Sequence, residues 1–555
     1  MLLTGGQVVV NALKEEGVDL VFGYPGGMAL PLYDCLYDSG ITHILTRHEQ
    51  GAVHAADGYA RLSGKVGVCI STSGPGATNL VSGIANAYID SVPMVCITCQ
   101  VVTSVLGKDS FQEADISGIT TPITKHNFMV KDKDTLSQTI AEAFYIARTG
   151  RPGPVVVDIP KDIFTQEIWY DYPKNIHMKG YKPLGAGNAD EVSRVADALA
   201  AAQRPLIMIG GGTVLAESRQ AVLDLLQKTG APLVSTLMGL SLIERDHPQH
   251  LGMIGMHGTF AANMAACQCD MLLALGCRFS DRVTGLISKF APTAKIAHFD
   301  IDPSEINKIV RPRFRVLGDL RWSLPLLAEK AQEGHFGEWL TQCQAWAKAH
   351  PLKYDDSGDA IKPQAVIQAV NGCLADDAVV VTDVGQHQMW AAQYSDIKGP
   401  RSFLTSGGLG IMGFGLPAAI GAWLAAPERE VWLYTGDGSI MMNCQEIATA
   451  VELGCPVKVV ILNNNGLGMV RQWQRLFYGN RYSGSQHQLP TDFVRLAKAF
   501  AADGADVFTK EELPAALAAA KAAKGPFFLN IRVENDENVM PMVAPNAALD
   551  QMIGY

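Results

Sequence analysis

The feature that most constrains this chain is a rhythm. Short apolar runs each end in a turn and give way to a helical pattern, over and over. The rhythm recurs in three regions. The first, from Met1 to about Lys161, contains LVFGYP, GVCIST, MVCIT and GPVVVDIP. The second, from about Asp190 to Trp322, contains RPLIMIGGGT, APLVST, MLLALG and KIAHFDID, and the third, beginning near Lys362, contains AVVVTDVG, VWLYTGDG, VKVVILNNNG and FFLNIRV. Apolar strands joined through helices form parallel sheets covered on both faces, so the expected fold class is α/β, with three doubly wound parallel-sheet domains. The domains are placed at residues 1–165, 190–330 and 360–535, followed by a tail at 536–555. The Pro- and Gly-rich stretch around 170–188 reads as a linker, and so does the polar, partly helical segment from about His335 to Gly358.

At 555 residues the chain exceeds a single core, and 48% apolar with 18% charged residues describes folded domains rather than disorder. A net charge of −10 without any Lys/Arg run argues against nucleic acid as a partner. The N-terminus MLLTGGQVVVNALKEEG lacks the basic and continuous apolar regions of a signal peptide and reads as the first helix of a domain. Ser402 to Pro427 is uncharged over a membrane-spanning length, but its glycines and Pro417 suit a tight loop leading into a buried helix, so no membrane span is expected. Eleven scattered cysteines are expected free in a reducing compartment, the cytoplasm. Cys96 and Cys99 fall on opposite faces of one strand, and Cys267 and Cys269 have no partners at zinc spacing.

The stretch LYTGDGSIMMN, residues 433–443, runs an apolar strand into Asp437 between Gly436 and Gly438, with Ser439 placed to cap a helix. A helix N-terminus attracts an anion while Asp437 repels one, so a bridging cation reconciles the two. The next strand ends in Asn463 and Asn464, the latter 27 residues after Asp437 (464 − 437). That interval is one crossover, and neighbouring parallel strands would bring a carboxylate and an amide oxygen to the same edge, ligands for Mg2+.

Gly-Asp-Gly followed at this distance by Asn-Asn resembles the thiamine-diphosphate motif, and the rest of the chain supports the resemblance. FGYPGG, TRHEQGAVHAADGYARLSGK, ISTSGPGATNL, DSVP, DSFQEADISGITTPITKHN, TDVGQHQMW and SGGLGIMGFGLPAAIG are similar to segments of that superfamily. The closest similarity is to acetohydroxyacid (acetolactate) synthase catalytic subunits, carried by FGYPGG, RHEQGA, GCRFSDRVTG and LGMVRQWQRLFYGNRYS.

The resemblance implies the thiamine-diphosphate-binding fold and a carboligase of branched-chain amino acid biosynthesis. Such an enzyme decarboxylates pyruvate and joins the remaining two-carbon unit to pyruvate or 2-oxobutyrate. It further implies Glu49 as the glutamate facing N1′ of the cofactor, with Gly27, Gln112 and Lys161 at the reacting end. Asp437, Asn464 and Gly466 fall at the Mg2+ positions, and Gly385, Gln386, His387, Met412, Gly438, Ser439 and Met469 at the thiamine-diphosphate positions. Phe111, Met256, Arg282 and Trp473 would line the substrate pocket, where an arginine fork suits a carboxylate and an aromatic wall the larger acceptor. FAD, without net redox change, would lie against Arg151, Gly211, Gly212, Met238, Arg278 and Asp319. A homodimer or homotetramer follows, since the glutamate and the diphosphate site meet across subunits in this superfamily, and a separate small subunit would carry any regulation.

Three departures from the family pattern stand out: Ser280 where Asp is usual, Cys99 where Gly is usual, and the tail PMVAPNAAL. Rival readings are a catabolic FAD-independent acetolactate synthase, a pyruvate oxidase, or a catalytically silent scaffold of the same fold.

Overall fold

The computed structural model describes residues 1–554. Three six-stranded sheets follow one another along the chain, and every strand pairing within them is parallel. With strands numbered in chain order inside each sheet, the first and third sheets share the order 2-1-3-4-6-5, whereas the central sheet runs 3-2-1-4-5-6. In such sheets ligands bind where the strand order reverses, beyond the carboxyl ends of the strands. For the third sheet that point lies between Val379–Thr382 and Val431–Gly436. In the central sheet it lies between Pro205–Ile209 and Met271–Leu275.

All twelve apolar runs picked from the sequence are strands. Within the three large sheets, the six strands missed are the two edges of each: Thr42–Leu45 and His126–Met129, His250–Met253 and Phe314–Leu317, Phe403–Leu404 and Asp503–Val507. Central strands such as Met94–Gln100 are buried at every position, whereas the edges alternate or stay half-exposed. An edge strand has a neighbour on one side only and so needs no continuous apolar run.

The segment read as a second linker needs correction. It contains the helix Gly337–Ala349, whose Trp339 and Cys343 are buried in the central domain's core, Trp339 Nε1 donating to Pro205 O at 2.9 Å. Its polar composition reflects the outer face alone. The stretch around 170–188 has almost no regular structure beyond Trp169, yet Tyr170, Tyr172, Met178 and Tyr181 pack on the first core. Cys96 and Cys99 do sit in different cores on opposite faces of their strand. Among the described residues all eleven cysteines are free and no helix is long and apolar enough to cross a membrane.

The first and third domains meet through two helices, Glu49–Ser63 and Gly415–Ala425. Their backbones touch: a carbon added at Gly58 would lie 2.1 Å from Ala418 O, and one at Gly421 1.9 Å from Ala55 O. Alanine is ordinarily the better helix former by about 1 kcal/mol. Gly421→Ala should nonetheless lower the unfolding free energy by about 1–3 kcal/mol, because overpacking forces the helices apart. Gly337→Ala, where an added carbon meets nothing within 4 Å, should be neutral or stabilising. Denaturant titration of both variants checks this, and equal effects would remove the close contact as the cause.

Candidate active site

The switch point of the third sheet opens into a cleft of about 430 Å³. All ten residues assigned from the sequence to thiamine diphosphate and metal line it: Gly385, Gln386, His387, Met412, Asp437, Gly438, Ser439, Asn464, Gly466 and Met469. They come from four separate segments. The helix Gln386–Tyr394 starts immediately after Gly385, and Asp437–Ile440 starts directly at the end of its strand, so two helix N-termini point donors at one space.

Val431–Gly436 and Lys458–Asn463 pair in parallel, with Gly436 opposite Leu462, which brings Asp437 and Asn464 to one edge as their spacing required. Asn464 Nδ2 donates to Gln386 Oε1 at 3.1 Å. In the other orientation of the amide, its Nδ2 donates to Gly466 O at 2.9 Å and to Asp437 Oδ1 at 3.3 Å. In either orientation the Asp437 carboxylate, the Asn464 amide and the Gly466 carbonyl converge on one spot. A carboxylate, an amide oxygen and a backbone carbonyl are hard oxygen donors, so the set fits Mg2+ in chemistry, an ion that takes few protein ligands and completes its shell with phosphate oxygens and water. The described residues contain no group of three or more His, Cys, Asp or Glu that could hold a metal ion, so this set depends on its amide and carbonyl oxygens. Burial pushes the Asp437 carboxyl up, and His487 Nδ1, 3.1 Å from Oδ2, pulls it back. His487 escaped the sequence reading because it sits 50 residues further on in a polar loop that offers no periodicity.

Asp383 was also missed. It is fully buried, accepts from Gly413 N at 2.8 Å and Thr435 Oγ1 at 3.3 Å, and so ties the loop carrying Met412 to the strand that ends at Asp437. Desolvation raises its pKa to about 6 against those hydrogen bonds.

Glu49 opens the helix Glu49–Ser63. It is 8% exposed, and its Oε2 accepts from Asn79 at 2.9 Å. From the third domain, the Glu446 carboxylate accepts from Arg47 N at 3.0 and 3.2 Å and holds the turn before Glu49. The carboxyl edge of the first sheet gathers the other residues expected at the reacting end. Gly27 follows Leu20–Tyr24, Gln112 packs its backbone on Gly74 after Gly67–Ser71, and Lys161 follows Pro154–Pro160. No residue of that sheet lines the 430 Å³ cleft.

Three of the four residues expected to line the substrate pocket come together. Met256 N donates to Arg282 O at 2.8 Å, and the Arg282 guanidinium lies 5.8 Å over the Trp473 ring. Trp473 is on the helix Gly468–Phe477, one turn after Met469, which links this group to the cleft. Arg282 also meets Asp281 at 3.0 Å, but both are more than half exposed, so the pair contributes under about 1 kcal/mol. Phe111 stays apart at 83% exposed.

The residues expected against FAD line the carboxyl edge of the central sheet. Gly211 and Gly212 follow strand 1, Met238 strand 2, Arg278 strand 4 and Asp319 strand 6. Gly212 lies so near Gly276 across the switch point that an added carbon would be 2.7 Å from Gly276 Cα. This is the close-backbone cradle that a pyrophosphate needs. Arg151 reaches the same edge from the first domain, bonded to Glu305 at 2.7 Å and Asp302 at 3.2 Å, while Asp319 caps the helix Leu320–Lys330. Ser280 makes no capping bond to the short helix Asp281–Thr284.

Family models agree with this layout. The thiamine pyrophosphate enzyme N-terminal TPP binding domain matches residues 3–119, the central domain 192–327 and the C-terminal TPP binding domain 383–531. Fold and site thus define the class: a three-domain thiamine-pyrophosphate enzyme. Over 99% of its length the chain is 46% identical to the acetolactate synthase isozyme 2 large subunit of Escherichia coli, covering 99% of that protein. It is also 46% identical over 98% of its length to the acetolactate synthase large subunit of Corynebacterium glutamicum, covering 89% of it. With a probable acetolactate synthase large subunit of Methanocaldococcus jannaschii it shares 45% over 99% of its length, covering 95%. The chain belongs to the acetolactate synthase large-subunit family.

Asp383 gives a test of the buried electrostatics. Its folded pKa of about 6 exceeds the ordinary value of 3.8, so the folded state holds the proton more tightly. The stabilisation is complete below pH 4 and lost as pH rises to about 6, roughly 3 kcal/mol in all. Unfolding free energies of wild type and Asp383→Asn between pH 4 and 7 should diverge by that slope, and parallel curves would show Asp383 ionised throughout.

Proposed function

We propose that the chain is the catalytic subunit of an acetolactate synthase. It decarboxylates pyruvate and ligates the two-carbon unit to a second 2-oxoacid, giving 2-acetolactate, or 2-aceto-2-hydroxybutyrate from 2-oxobutyrate, in branched-chain amino acid biosynthesis. The observation that carries this reading is the convergence of ten residues from four segments on one switch-point cleft, with Trp473 one helical turn after Met469 and the Arg282 guanidinium 5.8 Å over its ring.

Bound thiamine diphosphate supplies the electron sink that lets a 2-oxoacid lose carbon dioxide. Around it the residues divide the work. Asp437, Asn464 and the Gly466 carbonyl would hold Mg2+, and Gly385, Gln386, His387, Gly438 and Ser439 would hold the diphosphate. Met412 and Met469 give apolar support. Glu49 would hold a proton at the aminopyrimidine N1′, with Gly27, Gln112 and Lys161 beside the reacting atoms. Arg282 would fork the acceptor carboxylate, and Trp473 and Met256 would contact its side chain. FAD would lie along the central sheet against Arg151, Gly211, Gly212, Met238, Arg278 and Asp319.

Glu49 and the exposed Phe111 stay outside the cleft of their own chain, which supports their delivery by a second copy in a homodimer or homotetramer. The relatives are named large subunits, which supports a separate small subunit for regulation. Eleven free thiols suit the cytoplasm.

Purified protein with thiamine diphosphate, Mg2+, FAD and pyruvate should yield 2-acetolactate. Added 2-oxobutyrate should divert product to 2-aceto-2-hydroxybutyrate. Acetaldehyde or peroxide instead would exclude the carboligase, and indifference to FAD would point to the catabolic enzyme. Glu49→Gln should lower turnover at least 100-fold while leaving thiamine-diphosphate affinity within a few-fold, as removal of a proton-transfer group does. Undiminished turnover would exclude that role.

A further inference from the structure

The loop after Met94–Gln100 carries Phe111 and Gln112 out from the carboxyl edge of the first sheet, and three carboxylates hold it. Two fix its ends. Asp162 accepts from Thr103 N at 2.9 Å and from Thr103 Oγ1 at 2.5 Å, where the loop leaves the sheet. Gln100 Nε2, itself bonded to Asp158 at 3.0 Å, donates to Ala114 O at 2.8 Å, where the loop returns.

Between these anchors the chain adopts conformations that side chains resist. Asp109 and Gln112 both have positive φ, 53° and 59°. Residues in this region persist only where their surroundings hold them. Glu113 does the holding. One carboxylate oxygen accepts from Gly107 N, and the other from Ser110 N at 3.0 Å and Ser110 Oγ at 2.9 Å. These bonds keep the Glu113 carboxyl below the usual carboxylate range. Ser110 O in return accepts from Glu113 N at 3.0 Å, which closes a tight turn around Phe111 and Gln112. Gly74 leaves room for the Gln112 backbone, since a carbon there would lie 2.7 Å from Gln112 O.

We propose that Glu113 is a positioning residue for the ligation: it folds the 107–113 turn in advance, so that Gln112 and Phe111 enter the partner copy's cleft already in their working arrangement. The idea rests on the assignment of Gln112 and Phe111 to the reacting end. Glu113 itself touches neither cofactor nor substrate. Reacting groups held in place beforehand raise turnover, because the ordering is not repeated in every catalytic cycle.

The test uses the holoenzyme with thiamine diphosphate, Mg2+ and FAD, comparing Glu113→Ala, Glu113→Gln and Gln112→Ala. In Glu113→Ala, hydrogen exchange at the Gly107 and Ser110 amides should accelerate at least 10-fold while exchange in the sheet strands stays unchanged. Its kcat should fall at least 10-fold with thiamine-diphosphate affinity unaltered, since that cofactor's cleft lies in the third domain. Glu113→Gln keeps the length but one acceptor oxygen, and should fall between wild type and Ala in both readouts. Unchanged exchange in Glu113→Ala, or faster exchange with wild-type kcat, would overturn the clamp. Gln112→Ala separates the two layers. If it turns over normally, the assignment of Gln112 is what fails. If it is impaired while Glu113→Ala is not, the clamp alone fails.

Discussion

The contact between the helices Glu49–Ser63 and Gly415–Ala425 governs how the rest of the site is arranged. Gly58 lies against Ala418 and Gly421 against Ala55 with no side chain between them, so the helices have almost no freedom to slide. The same helix that makes this contact begins with Glu49, and the glycine-rich loop carrying Met412 leads directly into the other. Glu446 adds a polar lock at the N-terminal end by accepting from Arg47 N. One chain thus holds Glu49 and the cleft in a fixed relation, and in that relation Glu49 is not part of the cleft's lining.

The three sheets divide the chemistry by topology. The first and third share one strand order, and each presents residues at its carboxyl edge: those proposed for the reacting end on the first, those proposed for the diphosphate and metal on the third. The central sheet has the order typical of dinucleotide binding and offers a glycine-to-glycine approach at Gly212 and Gly276. Asp90 joins the three. Fully buried, it accepts from Arg61 of the first domain at 3.0 Å and from Gly407 N and Gly408 N of the third, while Arg278 of the central domain lies 3.9 Å away. Its charge is therefore surrounded by donors rather than left unpaired.

How much of this was legible in the sequence depended on burial and on sequence distance. Strands enclosed on both faces announce themselves as apolar runs, which is why each sheet's four inner strands were found and its two edges were not. Asp437 and Asn464 were readable as a pair because one crossover of fixed length separates them, and the parallel register of their strands then leaves little choice. His487, Asp383 and Glu446 carry no such signal. Each acts through a contact spanning 30 to 399 residues of sequence, and nothing in its neighbourhood distinguishes it from a surface or core polar group. The helix Gly337–Ala349 misled in another way, since its two buried residues, Trp339 and Cys343, are few beside its polar outer face.

The proposal that the site is completed between two copies is tested most directly by subunit complementation. Glu49→Gln and Asp437→Ala, each inactive alone, are mixed, dissociated and reassociated, and acetolactate formation is measured. With Glu49 and Asp437 supplied by different chains, half of the randomly assorted dimers are mixed, and each of these carries one intact site of two. About a quarter of wild-type activity should return. If both residues served the same cleft from a single chain, every mixed dimer would hold two damaged sites, and the absence of any recovered activity would contradict the shared site.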